Sequence, residues 1–364
     1  MSPNPTIRDV AREAGVSAAT ASLALRNDPR LRKTTCSEVQ RVAEKLGYHG
    51  NALVSQLLAQ LRTTRTPKYQ ATLGLINASE SPSIMSEVHT FREWERGYRE
   101  RATQLGYSVD KFWLHEKDMT PHRLAVICRA RNIRGVIVAA CVDNNLPPDF
   151  DEIWAGFACV LLGVGTVRHL SHLACNDQYS TAWQAFHEGI NLGYERPALV
   201  ISEEIDNLVD RRFSGAILAA QSQQPVKHVI PPFFFHSNLD KPPAAKIGSP
   251  EIQRRFQQWF ERYDPDLILC IHPEIREWIT AMKLSVPRDT GLIHLDWNEE
   301  HKGWAGMNQN SHLVGAAGID MLVGQLHRNE LGIPSFPKCL MIKSSWVSGQ
   351  TVRQKTPEVK KRKK

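Results

Sequence analysis

The run Thr6-Ile7-Arg8-Asp9-Val10-Ala11-Arg12-Glu13-Ala14-Gly15-Val16-Ser17 constrains the fold more than any other, because it starts one helix, stops it and caps a second. Thr6 is placed to accept a hydrogen bond from a first-turn N–H, and Asp9, three residues on, sits near the positive end of the helix dipole. Gly15 tolerates the positive φ of a tight turn, and Ser17 is a good N-cap for a second helix running to about Arg26. Thr35-Cys36-Ser37-Glu38 repeats the capping logic for a third helix. Within it Val39, Val42, Ala43 and Leu46 recur at i, i+3, i+4 and i+7 before Gly47. Two short helices joined by a glycine-containing turn are a DNA-reading unit, and the third supplies the apolar face they need. An ordinary three-helix subdomain has the same caps, so the caps alone leave both readings open.

Charge bears on the choice. Residues 1–70 carry eleven basic and five acidic side chains, an excess of +6, and residues 355–364 carry a further +5. Since the whole chain is at +7, the middle is at −4. A basic head on a slightly acidic body suits a protein that touches phosphate with one end. The basic tail is less specific, since such runs are usually solvated and disordered.

The 364 residues suffice for a small headpiece and two compact subdomains. No secretory signal precedes the first helix and no apolar run approaches the roughly 18 residues of a membrane span, so a cytoplasmic protein is expected. The seven cysteines are scattered singly, without a C-x-x-C pair, which favours small buried apolar roles over a disulfide framework or a zinc site. After the polar segment Thr63-Thr64-Arg65-Thr66-Pro67-Lys68, strand-like runs at 72–76, 135–140, 160–163, 198–201 and 267–271 alternate with helical ones such as Gly97 to Leu105. That alternation predicts α/β layers with buried parallel strands, and a ligand at their carboxyl ends.

The segment Gly47-Tyr48-His49-Gly50-Asn51-Ala52-Leu53-Val54-Ser55-Gln56-Leu57 resembles the end of the headpiece and the hinge helix of the lactose-repressor (LacI) family of bacterial transcription regulators. Arg212-Phe213-Ser214-Gly215, Gly291-Leu292-Ile293-His294-Leu295-Asp296 and Met307-Asn308-Gln309 extend the resemblance over nearly the whole chain. It implies a small all-α helix-turn-helix headpiece (1–50), a hinge helix (51–62), a linker (63–70) and a two-lobed α/β core (71–352) like periplasmic binding proteins, with parallel sheets. The first lobe is expected at about 71–185 and 306–337, the second at about 186–305 and 338–352, and a basic disordered tail at 353–364. No cofactor is implied. The partners are a pseudo-palindromic operator DNA, a small-molecule effector such as a sugar, and a second copy of the chain. No heptad pattern follows residue 340, so a tetramerising helix is not expected.

The resemblance places DNA contacts on Thr6 and on Ser17, Ala18, Ala19, Thr20, Ser22, Leu23, Arg26 and Arg30, with Tyr48, Asn51, Ala52 and Leu57 in the hinge region. Relatives often carry arginine where this chain has Leu23 and polar residues at Ala18 and Ala19. Alanine and leucine meet only apolar surface such as a thymine methyl, so direct readout leans on Ser17, Thr20, Ser22 and Arg26. Leu57 matches the leucine that relatives wedge into the minor groove, while Gly50 replaces the usual proline. For the effector, Arg212 and Asp296 match the family's guanidinium and acidic contacts, with Phe91 and Trp113 as an apolar wall or plain core, and Gln309 nearby. His272-Pro273-Glu274 replaces the usual Asn-Asp, which leaves His272 in that place and the effector's identity open. The competing class is an intracellular solute-binding or enzymatic α/β protein whose N-terminal helices serve assembly. No nucleophile elbow, phosphate loop or metal-ligand cluster supports catalysis.

Overall fold

The computed structural model describes residues 7–25, 27–28, 30–46, 71–141, 146–147, 149–164, 171–225, 229–236 and 249–354. Thr6, Arg26, Tyr48, Asn51, Ala52, Leu57, the expected hinge helix and linker, and residues 355–364 lie outside the described residues.

Three helices build the headpiece: α1 (Ile7–Glu13), α2 (Ala18–Leu25) and α3 (Lys33–Lys45). Gly15 adopts φ 65° in the turn between the first two. The Ser17 hydroxyl caps α2 by accepting the Thr20 N–H at 3.0 Å. The expected cap of α3 at Thr35 is corrected: the helix starts at Lys33, after Arg32, with no side-chain cap. Burying Cys36 together with Val39 requires the turn before Cys36 to be helical already, so tertiary packing overrides the local cap signal. Val10, Ala11, Ala21, Ala24, Cys36, Val39, Val42 and Ala43 form the buried centre. Each fully buried valine there contributes about 1.5–3 kcal/mol.

The core has two lobes, each a twisted sheet covered by helices on both faces. The first sheet contains β1 (Ala71–Asn77), β2 (Tyr107–Trp113), β3 (Gly135–Ala139), β4 (Ala158–Leu162), β5 (His172–Asn176) and β11 (Cys339–Ile342), in the spatial order β11-β5-β4-β3-β1-β2. The second contains β6 (Pro197–Ser202), β7 (Phe233–Phe235), β8 (Leu267–Cys270), β9 (Gly291–His294), β10 (Ala305–Asn308) and β12 (Ser345–Val347), in the order β12-β10-β9-β8-β6-β7. All pairings are parallel except β10 with β12. Central strands such as β3 and β4 are buried along their whole length, which explains their unbroken apolar sequences. In both sheets the strand order reverses between the first and third strands of the lobe, making a crevice at their carboxyl ends.

Helix α5 (His89–Gln104), longer than the expected Gly97 to Leu105, packs across α13 (Ser311–Arg328) on the first sheet. Gly97 makes this possible, because a Cβ there would lie 1.7 Å from the His312 carbonyl oxygen. Between β1 and α5 the short α4 (Ile84–Glu87) follows the Ser79–Ser83 loop.

Strand pairing revises the expected lobe boundaries. Residues 339–342 pair with β5 and so belong to the first lobe, not to the second as the expected span of 338–352 would have them. Residues 306–308 belong with β9 in the second lobe. Helix α8 (Gln178–Asn191) also packs in the second lobe, so the first crossover falls near residue 177. The three crossovers meet at Asn176, whose Nδ2 donates to the carbonyls of Gln309 (3.1 Å) and Ile342 (2.9 Å) and to the Ser344 hydroxyl (3.1 Å). The boundary was illegible in sequence because a short apolar strand such as β11 fits the edge of either sheet. Nor does the tail begin at 353: the Arg353 N–H donates to the Tyr194 hydroxyl at 3.0 Å, and its guanidinium to the Arg288 carbonyl at 2.8 Å.

Candidate functional site

On the headpiece, α2 buries Ala21 and Ala24 against α1 and α3 and turns the opposite side outward. Ser17, Ala18 and Ala19 are exposed, and Thr20, Ser22 and Leu23 are half-buried. Ser17 and Thr20 share a hydroxyl–hydroxyl hydrogen bond of 2.8 Å, so both are partly engaged with the helix start. Arg30 is exposed, but Asp28 holds it on two sides, with Nη2 at 2.8 Å and Nε at 2.9 Å. That same contact holds the Asp28 carboxyl far below the usual carboxylate range. Arg12 pairs with Asp9 and Arg41 with Glu38, each at 2.6 Å. Arg8, Arg32 and Lys33 are exposed and make no ion pair among the described residues. Sequence reasoning did not single them out, although Arg32 and Lys33 stand at the N-terminus of α3, where free N–H groups and the dipole favour anions.

The second site lies where the lobes meet. Arg212 opens α10 (Arg212–Gln221) after two successive left-handed residues, Asp210 (φ 53°) and Arg211 (φ 54°), a strained turn that sets its direction. Ser214 of the same motif explains the turn's persistence: its N–H and hydroxyl both donate to the buried Asp206, at 3.1 and 2.6 Å. The half-buried Arg212 guanidinium crosses to the first lobe, with Nη1 3.9 Å from the Cys175 Sγ and 3.8 Å from the Met341 Sδ. Its nearest carboxylate, Asp210, is 3.9 Å away. A guanidinium offers five donors in a fixed fork, so Arg212 retains strong hydrogen-bonding capacity for an acceptor.

Asp296, just beyond β9, accepts from the Thr90 hydroxyl of the first lobe at 3.1 Å, and burial pushes its carboxyl up. Arg92 and Glu300 add an inter-lobe ion pair at 2.6 Å. His272, just past β8, is buried against Phe235 at 5.1 Å between ring centroids, and its Nε2 meets no partner. Burial pushes it down to about 4. Trp113, at the end of β2, donates its indole N–H to the Ser79 carbonyl at 2.9 Å. Phe91 packs on Trp94 at 5.0 Å. Gln309 uses its amide N–H on the Leu295 carbonyl at 3.0 Å, which makes it a fastener of the crossover. Arg212, Asp296 and His272 therefore follow the second lobe's strands, while Phe91 and Trp113 come from the first.

Sequence reasoning missed Asn176, Thr90 and the stacked pair His294 and His301, whose rings lie 4.0 Å apart. The adjacent Asn176-Asp177 after an apolar strand was the available signal for the first. Nothing local announced the other two, because Thr90 and Asp296 are 206 residues apart.

The family model "Bacterial regulatory proteins, lacI family" matches residues 6–51. The HTH-type transcriptional regulator GalS of Salmonella typhimurium is 28% identical over 220 residues, 60% of this chain and 60% of that protein. Catabolite control protein A of Priestia megaterium is 36% identical over 106 residues, 29% of this chain and 28% of that protein. The chain thus aligns with less than two thirds of these relatives' length. The structure of the transcriptional regulator CelR–cellobiose complex is similar with a TM-score of 0.56 at 18% identity, covering 95% of this chain and 99% of the other. That of the lac repressor dimer bound to operator and the anti-inducer ONPF gives 0.55 at 17% identity, covering 96% and 99%. At such identities the likeness concerns the fold, and it is the expected one: a helical headpiece before two parallel-sheet lobes. Residues 6–51 thus match the lacI family of bacterial regulatory proteins, and beyond them the chain is similar to these named regulators.

Proposed function

We propose that this chain is a sequence-specific DNA-binding transcription regulator, a cytoplasmic homodimer acting as a repressor. The observation that carries the reading is α2, held by α1 and α3 so that Ser17, Ala18 and Ala19 are exposed, on a headpiece that also exposes Arg8, Arg32 and Lys33. A helix presented this way enters a major groove with its N-terminal residues on base edges, while basic side chains and the α3 N-terminus meet phosphates. Two copies are required because one small headpiece covers too little DNA for a specific site. Leu57 of each hinge is the wedge into the minor groove. Binding to promoter DNA of the source genome, measured by gel shift against salt, tests this. Steep weakening with salt and selection of a pseudo-palindromic site are expected. Salt-independent or absent binding refutes it.

The inter-lobe cleft takes the effector, a sugar or related metabolite. Arg212 supplies donors, Asp296 an acceptor, and His272 a neutral ring nitrogen, while Phe91 and Trp113 provide apolar surface. Thr90 on Asp296 and Arg92 on Glu300 link the lobes directly, so a ligand that competes for Asp296 changes their separation and with it the spacing of the two headpieces.

A further inference from the structure

We propose that Cys175 and Cys339 form a peroxide-oxidisable dithiol that closes to an intramolecular disulfide across the β5–β11 edge of the first lobe. All seven cysteines are free, and six are buried, Cys339 being the exposed one. Its sulfur lies 3.9 Å from the Cys175 Sγ, which in turn lies 3.9 Å from the Arg212 guanidinium. An accessible sulfur in contact with a shielded one, beside a fixed cation, has the parts that thiol oxidation requires: an attacking group, a resolving group and stabilisation of the thiolate. The Cys175 thiol donating to it, with Arg212 nearby, holds the Cys339 thiol well below its usual range. Burial instead pushes Cys128 up to about 11 and Cys141 to about 12, which makes them inert by comparison.

The chemistry balances with hydrogen peroxide as the oxidant. The Cys339 thiolate attacks one peroxide oxygen, breaking the O–O bond, forming a sulfenic acid and releasing hydroxide. The Cys175 thiol then displaces the sulfenic hydroxyl, which leaves as water with the thiol proton, and the S–S bond forms. Two electrons pass from the two sulfurs to peroxide.

Cys339 lies opposite Leu173 and Cys175 opposite Met341, two positions apart in register, so shortening 3.9 Å to the roughly 2.05 Å of a disulfide moves backbone as well as side chains. The movable partner is β11, an edge strand paired on one side with β5 and alternately exposed along its length. Its other end, Ile342, is tied to Asn176, the residue after Cys175. Oxidation therefore pulls on the point where all three crossovers meet and withdraws the sulfurs from Arg212. None of this depends on DNA binding, so it stands or falls separately from the proposed function.

The test treats the full-length reduced protein with hydrogen peroxide and maps its peptides without reduction. The expected product links Cys175 to Cys339, consumes two thiols, reverses with dithiothreitol and changes hydrogen exchange through residues 339–345. In Cys175→Ser, Cys339 should stop at the sulfenic acid and be captured by dimedone. Cys339→Ser should lose thiols at least about tenfold more slowly, since thiolate and access are both gone. The proposal is overturned if wild-type Cys339 over-oxidises or bridges to another chain while Cys175 stays reduced, if no linked peptide forms, or if exchange in 339–345 is unchanged by the link.

Discussion

Mild acid should destabilise the core through buried histidines, and the size of the effect follows from two of them. His272 is pushed down to about 4 and His294 to about 3, each mainly by burial, with the histidines neighbouring His294 adding to its shift. Both are neutral in the native state at pH 7, whereas an unfolded chain binds the proton near pH 6.5. Protonation thus favours unfolding: stability is full above about pH 6.5 and falls as pH drops toward the folded values. At pH 5.5 the unfolded histidine is about tenfold more often protonated than neutral, while the buried one is still neutral. Each contributes a loss of about 1.4 kcal/mol relative to pH 7.5, a figure that hardly depends on how far below 5.5 the folded value lies. The two together give about 3 kcal/mol; Asp296, whose carboxyl burial pushes up, acts in the opposite sense, so the histidine part is isolated by comparing wild type with a histidine variant. Urea unfolding at pH 7.5 and 5.5, followed by tryptophan fluorescence, measures the difference. His272→Leu, which also removes the unpartnered Nε2, should be at least as stable at pH 7.5 and should lose about 1.4 kcal/mol less on acidification. An identical acid loss in wild type and variant, or no loss in either, would refute the reasoning.

Four further outcomes are expected. Gly97→Ala should destabilise the first lobe by about 3 kcal/mol or more, read as a thermal shift, because its Cβ would enter the His312 carbonyl; Gly215→Ala, with nothing within 4 Å, should gain up to about 1 kcal/mol. Val39→Ala should cost the headpiece about 2 kcal/mol and abolish DNA binding at 37 °C while the core's melting is unchanged. Arg212→Ala and Asp296→Ala should each weaken effector binding by about 10- to 150-fold in calorimetry while leaving effector-free DNA binding intact. A fragment beginning near Lys68 should keep the folded core and lose DNA affinity, as monitored by gel shift; retention of full affinity would contradict the headpiece assignment.

Local sequence determined the elements that depend on near neighbours. The Gly15 turn, the Ser17 cap and the spacing of Val39, Val42 and Ala43 appear as expected, because positive φ, capping and helical periodicity act over a few residues. The strand runs of both lobes were equally plain, since burial on two faces requires continuous apolar residues. The motif at Arg212 and the strand end at Asp296 marked two residues that the structure places at the junction of the lobes. Tertiary structure decided what depends on distant partners: that β11 joins the first sheet and that Gln309 is a fastener. It also decided that Cys175 meets Cys339 across 164 residues of chain. Each of these is a choice among contacts of similar local merit, and only the closing of the two lobes around Asn176 selects between them.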